Sequence, residues 1–182
     1  MYRKIKKKAG LTLIELLIAI LLFSAINGAA VLMLSTGLKI WSSDRDRLDI
    51  RQNGNLAMER MVRYLETTNN ITAATTGPAS ITFATDVDND QVDETATITF
   101  DAVNKRIDIT IDGTTMILTR DVQSLAFSYY DDSDPSMLLS PLPLNEDQCD
   151  SVRVVNISLI MNKGSDTITL NSSAFCRNQG II

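Results

Sequence analysis

The sequence predicts an α+β fold: a long N-terminal helix, with a membrane half and an amphipathic half, packed on an antiparallel β-sheet domain. Three observations carry the prediction. From Leu11 to Leu38 the chain is an apolar run whose only ionisable group is Glu15, and about 20 apolar residues already span a bilayer. From Ser42 to Glu66 apolar residues recur at helical spacing among charges. From Ile81 onward the apolar period falls to two, the signature of half-buried strands. At 182 residues there is room for one modest domain beside the helix, not for two.

Taken in order, the chain opens with a basic leader in which Arg3, Lys4, Lys6, Lys7 and Lys8 cluster. Such a cluster holds the N-terminus in the cytoplasm and exports the chain beyond the span, with Trp41 suited to the far interface. The first helical half is apolar all round, as a span is. Asn27-Gly28 and Gly37 are poor helix formers there, each costing up to about 1 kcal/mol relative to alanine. In the second half Ile50, Ala57, Met61, Tyr64 and Leu65 share a face. The opposite face mixes Asp44, Arg45, Asp46, Arg47, Arg51, Glu59, Arg60, Arg63 and Glu66. Interleaved signs read as a solvated, partly paired face rather than a nucleic-acid stripe. Thr67-Thr68-Asn69-Asn70 ends the helix.

Strands come next at Ile81–Phe83, Ala96–Phe100 and Ile107–Ile111. Asp112-Gly113, between that last run and Met116–Leu118, is a hairpin turn signal. Leu125, Phe127 and Tyr129 form another alternating face. Val152, Val154, Ile157, Leu159 and Met161 make a longer strand or a pair of strands, and Asn162-Lys163-Gly164 turns the chain into Thr167–Leu170. One face of the sheet is expected under the helix. The chain has no histidine, which removes Ser-His-Asp and Cys-His catalysis and the commonest metal ligand. No acid/base constellation emerges elsewhere, so an enzyme is not expected.

The N-terminal residues carry a resemblance. Lys6-Lys7-Lys8-Ala9-Gly10 followed by Leu11-Thr12-Leu13-Ile14-Glu15 resembles the class III signal of the type IV pilin and pseudopilin superfamily. The resemblance implies cleavage by a prepilin peptidase between Gly10 and Leu11, N-methylation of Leu11, and glutamate as the fifth mature residue. The family usually has phenylalanine where this chain has Leu11. Looser similarity points to W-type minor pilins and J-type minor pseudopilins: Arg51-Gln52-Asn53 through Ala57-Met58-Glu59-Arg60-Met61, Val122 to Asp131, and Phe175-Cys176-Arg177-Asn178. The implied organisation is a leader at 1–10, a transmembrane and filament-core helix at 11–38, an amphipathic half at 39–66, and a periplasmic or extracellular β domain at 67–182. The implied function is a minor subunit that primes or tips a type IV pilus or a type II secretion pseudopilus. Its implied partners are other pilins, the prepilin peptidase and an inner-membrane assembly platform. The alternative is a membrane-anchored or secreted β domain for binding or adhesion that never polymerises. A secretory signal cut at Gly28-Ala29-Ala30, or a plain anchor, leaves Glu15 without a role.

Removing residues 1–10 takes the formal charge from −5 to −10, because five of the 17 basic residues leave. A chain so acidic is not expected to bind nucleic acid, which is captured by Lys and Arg. Glu15 is the expected assembly residue. A lone charge in a span costs about 2.5 to 3.5 kcal/mol, and pairing with the Leu11 amine of a neighbouring subunit offsets much of that. Cys149 and Cys176 both lie in the exported part, where a disulfide is permitted. Closing that loop stabilises by about 3 to 4 kcal/mol on the loop-entropy view; two buried thiols are the alternative. Asp86, Asp88, Asp90 and Glu94 are candidate calcium ligands, with oxygens at alternate positions as in a calcium loop. Gln91 stands where an EF-hand has glycine and Thr97 where it has its bidentate glutamate. The alternative, and the better-supported one, is an acidic solvated loop between strands, and no other cofactor is expected. The stretch from Asp131 to Cys149 is long for a connection. Its Leu138, Leu139, Leu142 and Leu144 either dock a partner or fold back on the sheet.

Overall fold

The computed structural model describes residues 12–76, 79–87, 90–131, 138–140, 142–164 and 166–176. The chain divides into two compact units, Met1–Asp44 and Arg45–Ile182. A single helix, α1 (Leu13–Glu66), begins in the first and ends in the second. Asn27, Gly28 and Gly37 do not break it.

In the first unit every described residue from Thr12 to Ser42 is exposed. Its apolar side chains have no protein to pack on; Phe23 alone leaves 70% of its surface open. Three of its polar side chains bond back to the helix. Ser24 Oγ donates to Ile20 O at 2.8 Å, Asn27 Nδ2 to Phe23 O at 2.7 Å and Ser35 Oγ to Leu32 O at 3.0 Å. This back-bonding takes up the Ser24, Asn27 and Ser35 donors on an otherwise apolar surface.

In the second unit α1 buries Ile50, Gly54, Ala57, Met58, Met61 and Leu65, the helical stripe expected with Gly54 and Met58 added. Tyr64 is only half-buried. On the solvent face Arg63 pairs with Glu59 at 2.9 Å one turn away. Five strands form one antiparallel sheet in chain order: β1 (Thr68–Thr76), β2 (Ala79–Thr85), β3 (Glu94–Asp101), β4 (Arg106–Ile111) and β5 (Thr114–Arg120). A second antiparallel sheet holds β6 (Val122–Asp131), β7 (Val152–Lys163) and β8 (Asp166–Phe175), with a short helix α2 (Glu146–Ser151) between β6 and β7. The single sheet expected from sequence is therefore two. The switch is made at Asp121, whose φ of 61° turns the chain in one residue. The flanking backbone is held by Val122 N–H to Lys105 O at 3.0 Å and Asn162 N–H to Asp121 O at 2.8 Å.

The strand pattern otherwise matches the alternation. Ile81, Phe83, Ile98, Ile107 and Ile109 from the first sheet and Leu125, Phe127, Tyr129, Ile157 and Leu159 from the second meet in one core with the helix. Asp112 and Gly113 take φ values of 46° and 79°, the two left-handed residues a type I′ hairpin needs. At the β7–β8 turn, Lys163 Nζ reaches Asp49 Oδ2 at 3.2 Å and Asp46 Oδ1 at 3.5 Å on α1. The hydrogen bond from Lys163 to Asp49 raises the lysine's pKa. Within the long connection, Leu139 and Leu144 are buried and Leu142 is packed on the core, while Leu138 stays half exposed. Those leucines mostly fold back. Pro135 and Pro141 lie outside the described residues.

Tyr129 is fully buried, and its hydroxyl has no hydrogen-bond partner among the described residues. An unpartnered buried hydroxyl costs about 1 to 3 kcal/mol. Tyr129→Phe should therefore raise stability by about 1 kcal/mol. Burial also pushes the phenol above its ordinary 10.0. Above that pH the unfolded chain has released a proton that the folded chain keeps, so stability falls as pH rises. Thermal melts at neutral pH and above pH 10 check both effects, since the tyrosine's share of the alkaline loss disappears in Tyr129→Phe.

Candidate functional site

Helices leave their first N–H groups without intrahelical partners, and at the head of α1 two residues supply them. Thr12 precedes the helix, and its carbonyl accepts the first intrahelical bond from Leu16 N–H at 3.2 Å. Glu15 N–H donates to Thr12 Oγ1 at 3.3 Å. In return Thr12 N–H donates to Glu15 Oε2 at 3.2 Å, and the Thr12 hydroxyl donates to the same oxygen at 3.2 Å. Thr12-Leu13-Ile14-Glu15 is thus a capping box. Its carboxylate sits at the positive end of the helix dipole. Sequence reasoning singled out Glu15 but missed Thr12, although the Thr-x-x-Glu spacing was there to read. Gly10 and Leu11, the expected cleavage and methylation positions, lie outside the described residues. Chemically, the site is a carboxylate four residues along the chain from the amine that cleavage after Gly10 would create, at the head of a helix that is exposed and apolar in its first half.

The second candidate lies in the β2–β3 connection. Asp86, Asp90 and Glu94 each bring one carboxylate oxygen within 4.8 Å of the others; Asp88 lies outside the described residues. The carboxylates also close the loop. Asp86 accepts from Asp90 N–H at 3.1 Å and Gln91 N–H at 3.0 Å, Asp90 from Val92 N–H at 2.8 Å, and Glu94 from Val87 N–H at 2.7 Å. Gln91 takes φ 71°, the left-handed geometry for which a calcium loop uses glycine. Thr97 is not part of the loop: it lies within β3 with its Oγ1 3.0 Å from that of Thr82.

Both cysteines belong to the buried core. Cys149 sits in α2, capped by Asn145 through a second capping box with Gln148. Cys176 lies just after β8, its N–H donating to Arg153 O at 2.9 Å. Both are buried in the same apolar cluster, and this structure has no disulfide between them. Burial pushes the Cys176 thiol up to about 11 against the opposing pull of Arg153. Burial, then Asp150 and Glu146, raise Cys149 as well.

Comparison with known families gives one finding for this geometry. The model of the prokaryotic N-terminal methylation motif matches residues 5–34, which takes in Lys6–Lys8 of the basic leader, the Thr12–Glu15 cap and most of the apolar run. Curated proteins give no match. Of the described helices, one is long and apolar enough to cross a membrane, and it is the helix that bears the motif. The chain carries the prokaryotic N-terminal methylation motif at the head of a long apolar helix, and the antiparallel sheets that follow complete an α+β, pilin-like architecture.

Proposed function

We propose that the chain is a minor pilin or minor pseudopilin that primes or tips its filament, either a type IV pilus or a type II secretion pseudopilus. The prepilin peptidase removes residues 1–10 and methylates Leu11. Before assembly the subunit stands in the inner membrane with its N-terminus cytoplasmic and its β domain periplasmic. An inner-membrane platform then moves it into the filament.

The observation that carries the reading is the head of α1: a capped carboxylate at the start of a helix exposed on every side from Leu13 to Ser42. An apolar surface that large does not persist in water. Lipid covers it first and the helices of neighbouring subunits afterwards. Glu15 then exchanges its Thr12 partner for the Leu11 amine of the next subunit, an opposite charge that water-poor surroundings make worth far more than a neutral donor. A minor role fits the extent of the globular unit, two sheets and a second helix built on one pilin-type stem. The loose W- and J-type similarities support the same role. The β2–β3 loop needs no ion in this reading, because its carboxylates serve its own backbone.

In the periplasm the two cysteines form a disulfide. Their burial in one apolar cluster supports the pairing, and their raised pKa values mean that an exported oxidant must make it, since thiolate is scarce at neutral pH. One measurement tests processing and pairing together. Intact mass and N-terminal fragmentation of the protein from membranes should show a chain beginning at Leu11, one methyl on its amine, and two hydrogens fewer than the reduced mass. A start at Val31 or an intact Met1 rejects the subunit reading. A mass that reduction leaves unchanged rejects the disulfide alone.

A further inference from the structure

The second sheet has one face on the core and one turned outward, and the outward face is unlike that of the first sheet. On the first sheet the hydroxyls satisfy one another: Ser80 lies 3.3 Å from Thr99, Thr82 3.0 Å from Thr97 and Thr110 2.9 Å from Thr115. On the second sheet the strand register lines up three successive rows. Ala126, Ser158 and Asn171 form one; Ser128, Asn156 and Ser173 the next; Tyr130, Val154 and Phe175 the third. None of the five serine and asparagine side chains hydrogen-bonds another protein group among the described residues. They line an open depression of about 280 Å³. The adjoining row is apolar, and Phe175 keeps 61% of its surface open.

The rows contain no ionisable side chain other than the Tyr130 phenol, in a chain with 17 basic and 22 acidic residues. A charged ligand finds no counter-charge here. A neutral ligand that is at once rich in hydroxyls and apolar on one side matches both halves of the face. A pyranose ring is built that way, with hydroxyls round its edge and C–H groups on its flat side. An aromatic face carries the partial negative charge that attracts such C–H groups. Amides and hydroxyls that both donate and accept suit sugar hydroxyls, which do the same. By strand and residue spacing the three rows cover roughly 10 by 14 Å, room for a short oligosaccharide.

We propose that the outer face of the β6–β7–β8 sheet is a binding site for neutral glycans, with Phe175 and Tyr130 as the apolar platform and Asn156, Asn171 and their serine neighbours as the hydrogen-bonding half. It uses no residue of the α1 head, so it stands whether or not the subunit polymerises.

The test is calorimetric titration of the full-length protein, in a detergent without a sugar headgroup, with cellohexaose, maltohexaose and chitohexaose. At least one should bind, and Phe175→Ala and Asn156→Ala should each weaken that binding ten-fold or more with an unchanged Tm. Neither side chain is buried, so folding should survive. If Phe175→Ala unfolds, Asn156→Ala decides alone. The proposal is overturned if none of the three binds at millimolar concentration or if both variants bind as the parent does. A dimer that Phe175→Ala dissociates would assign the face to a second copy of the chain and overturns it too.

Discussion

Glu15→Gln should be cleaved and methylated like the parent, yet fall ten-fold or more in the sheared filament fraction. The capping geometry makes this substitution more informative than alanine. Glutamine is as acceptable as glutamate at the third position of a capping box, so Glu15→Gln keeps the helix start and the Thr12 contacts while removing the charge. Thr12→Val does the reverse: the carboxylate stays, while the threonine hydroxyl is lost both as donor to Glu15 and as acceptor from its N–H. A cap contributes about 0.5 to 2 kcal/mol to the local helix. An ion pair formed away from water is worth more, because each of its charges, left alone, meets a penalty of about 2.5 to 3.5 kcal/mol on the lenient insertion scale. A ten-fold loss needs only about 1.4 kcal/mol per subunit. Assembly should therefore fail in Glu15→Gln and survive, with some loss, in Thr12→Val. Mass spectrometry of the N-terminus and immunoblots of sheared filaments read the two steps separately. Full recovery of Glu15→Gln in filaments would sink the ion pair, and equal failure of both variants would move the role from the charge to the cap.

The parts of the fold that could be read from the sequence are those in which burial of one face writes a period. The amphipathic half of the helix and the strands through Phe83, Ile98, Ile109, Phe127 and Leu159 show a period because water lies on one side and the core on the other; the first half of the helix was legible instead as an unbroken apolar run. β1 escaped notice because it is an edge strand with two register shifts. Of its residues from Thr68 to Thr72 only Thr68 and Ile71 are buried, and threonine and asparagine there look like loop. α2 escaped because six residues cannot show a helical period; its signal was the Asn145-x-x-Gln148 cap, a local one. The division into two sheets leaves almost no trace, since it hangs on one left-handed aspartate, Asp121, between strands of ordinary pattern. At the candidate sites, Asp86, Asp90 and Glu94, singled out by their spacing, come together at the β2–β3 connection. Thr97 lies in β3, as the alternation of Ala96–Phe100 indicated. Glu15 stood out in the sequence by its isolation in an apolar run. Thr12 was overshadowed by the same run, although its hydroxyl defines where the carboxylate points.

Gly54→Leu should lower stability by about 2 to 3 kcal/mol, the usual cost of forcing bulk into a filled core. Helix propensity alone argues the opposite, since glycine costs about 1 kcal/mol against other residues in a helix interior. The contact surface explains why it is there. α1 crosses β7 and β8 so closely that a Cβ on residue 54 would stand 2.6 Å from Leu170 Cδ1 and 2.7 Å from Met161 Sδ, with Ile168 Cδ1 at 3.7 Å. The nearest atoms are side-chain ends, so one methyl can be admitted if they swing aside. Gly54→Ala therefore sets a propensity gain of about 1 kcal/mol against a small repacking cost, and its Tm should stay within a few degrees of the parent's. Leucine has no such exit. Met161 is fully buried, and Ile50, Ala57 and Met58 close the space along the helix. Either α1 lifts from the sheet, which also pulls Asp49 and Asp46 from Lys163, or the core side chains leave their rotamers. Thermal unfolding of the full chain should show a fall of roughly 5 to 15 °C for leucine and almost none for alanine. A leucine variant as stable as the parent would mean that the helix and the β7–β8 hairpin do not approach this closely, and the core drawn around Gly54 would have to be redrawn.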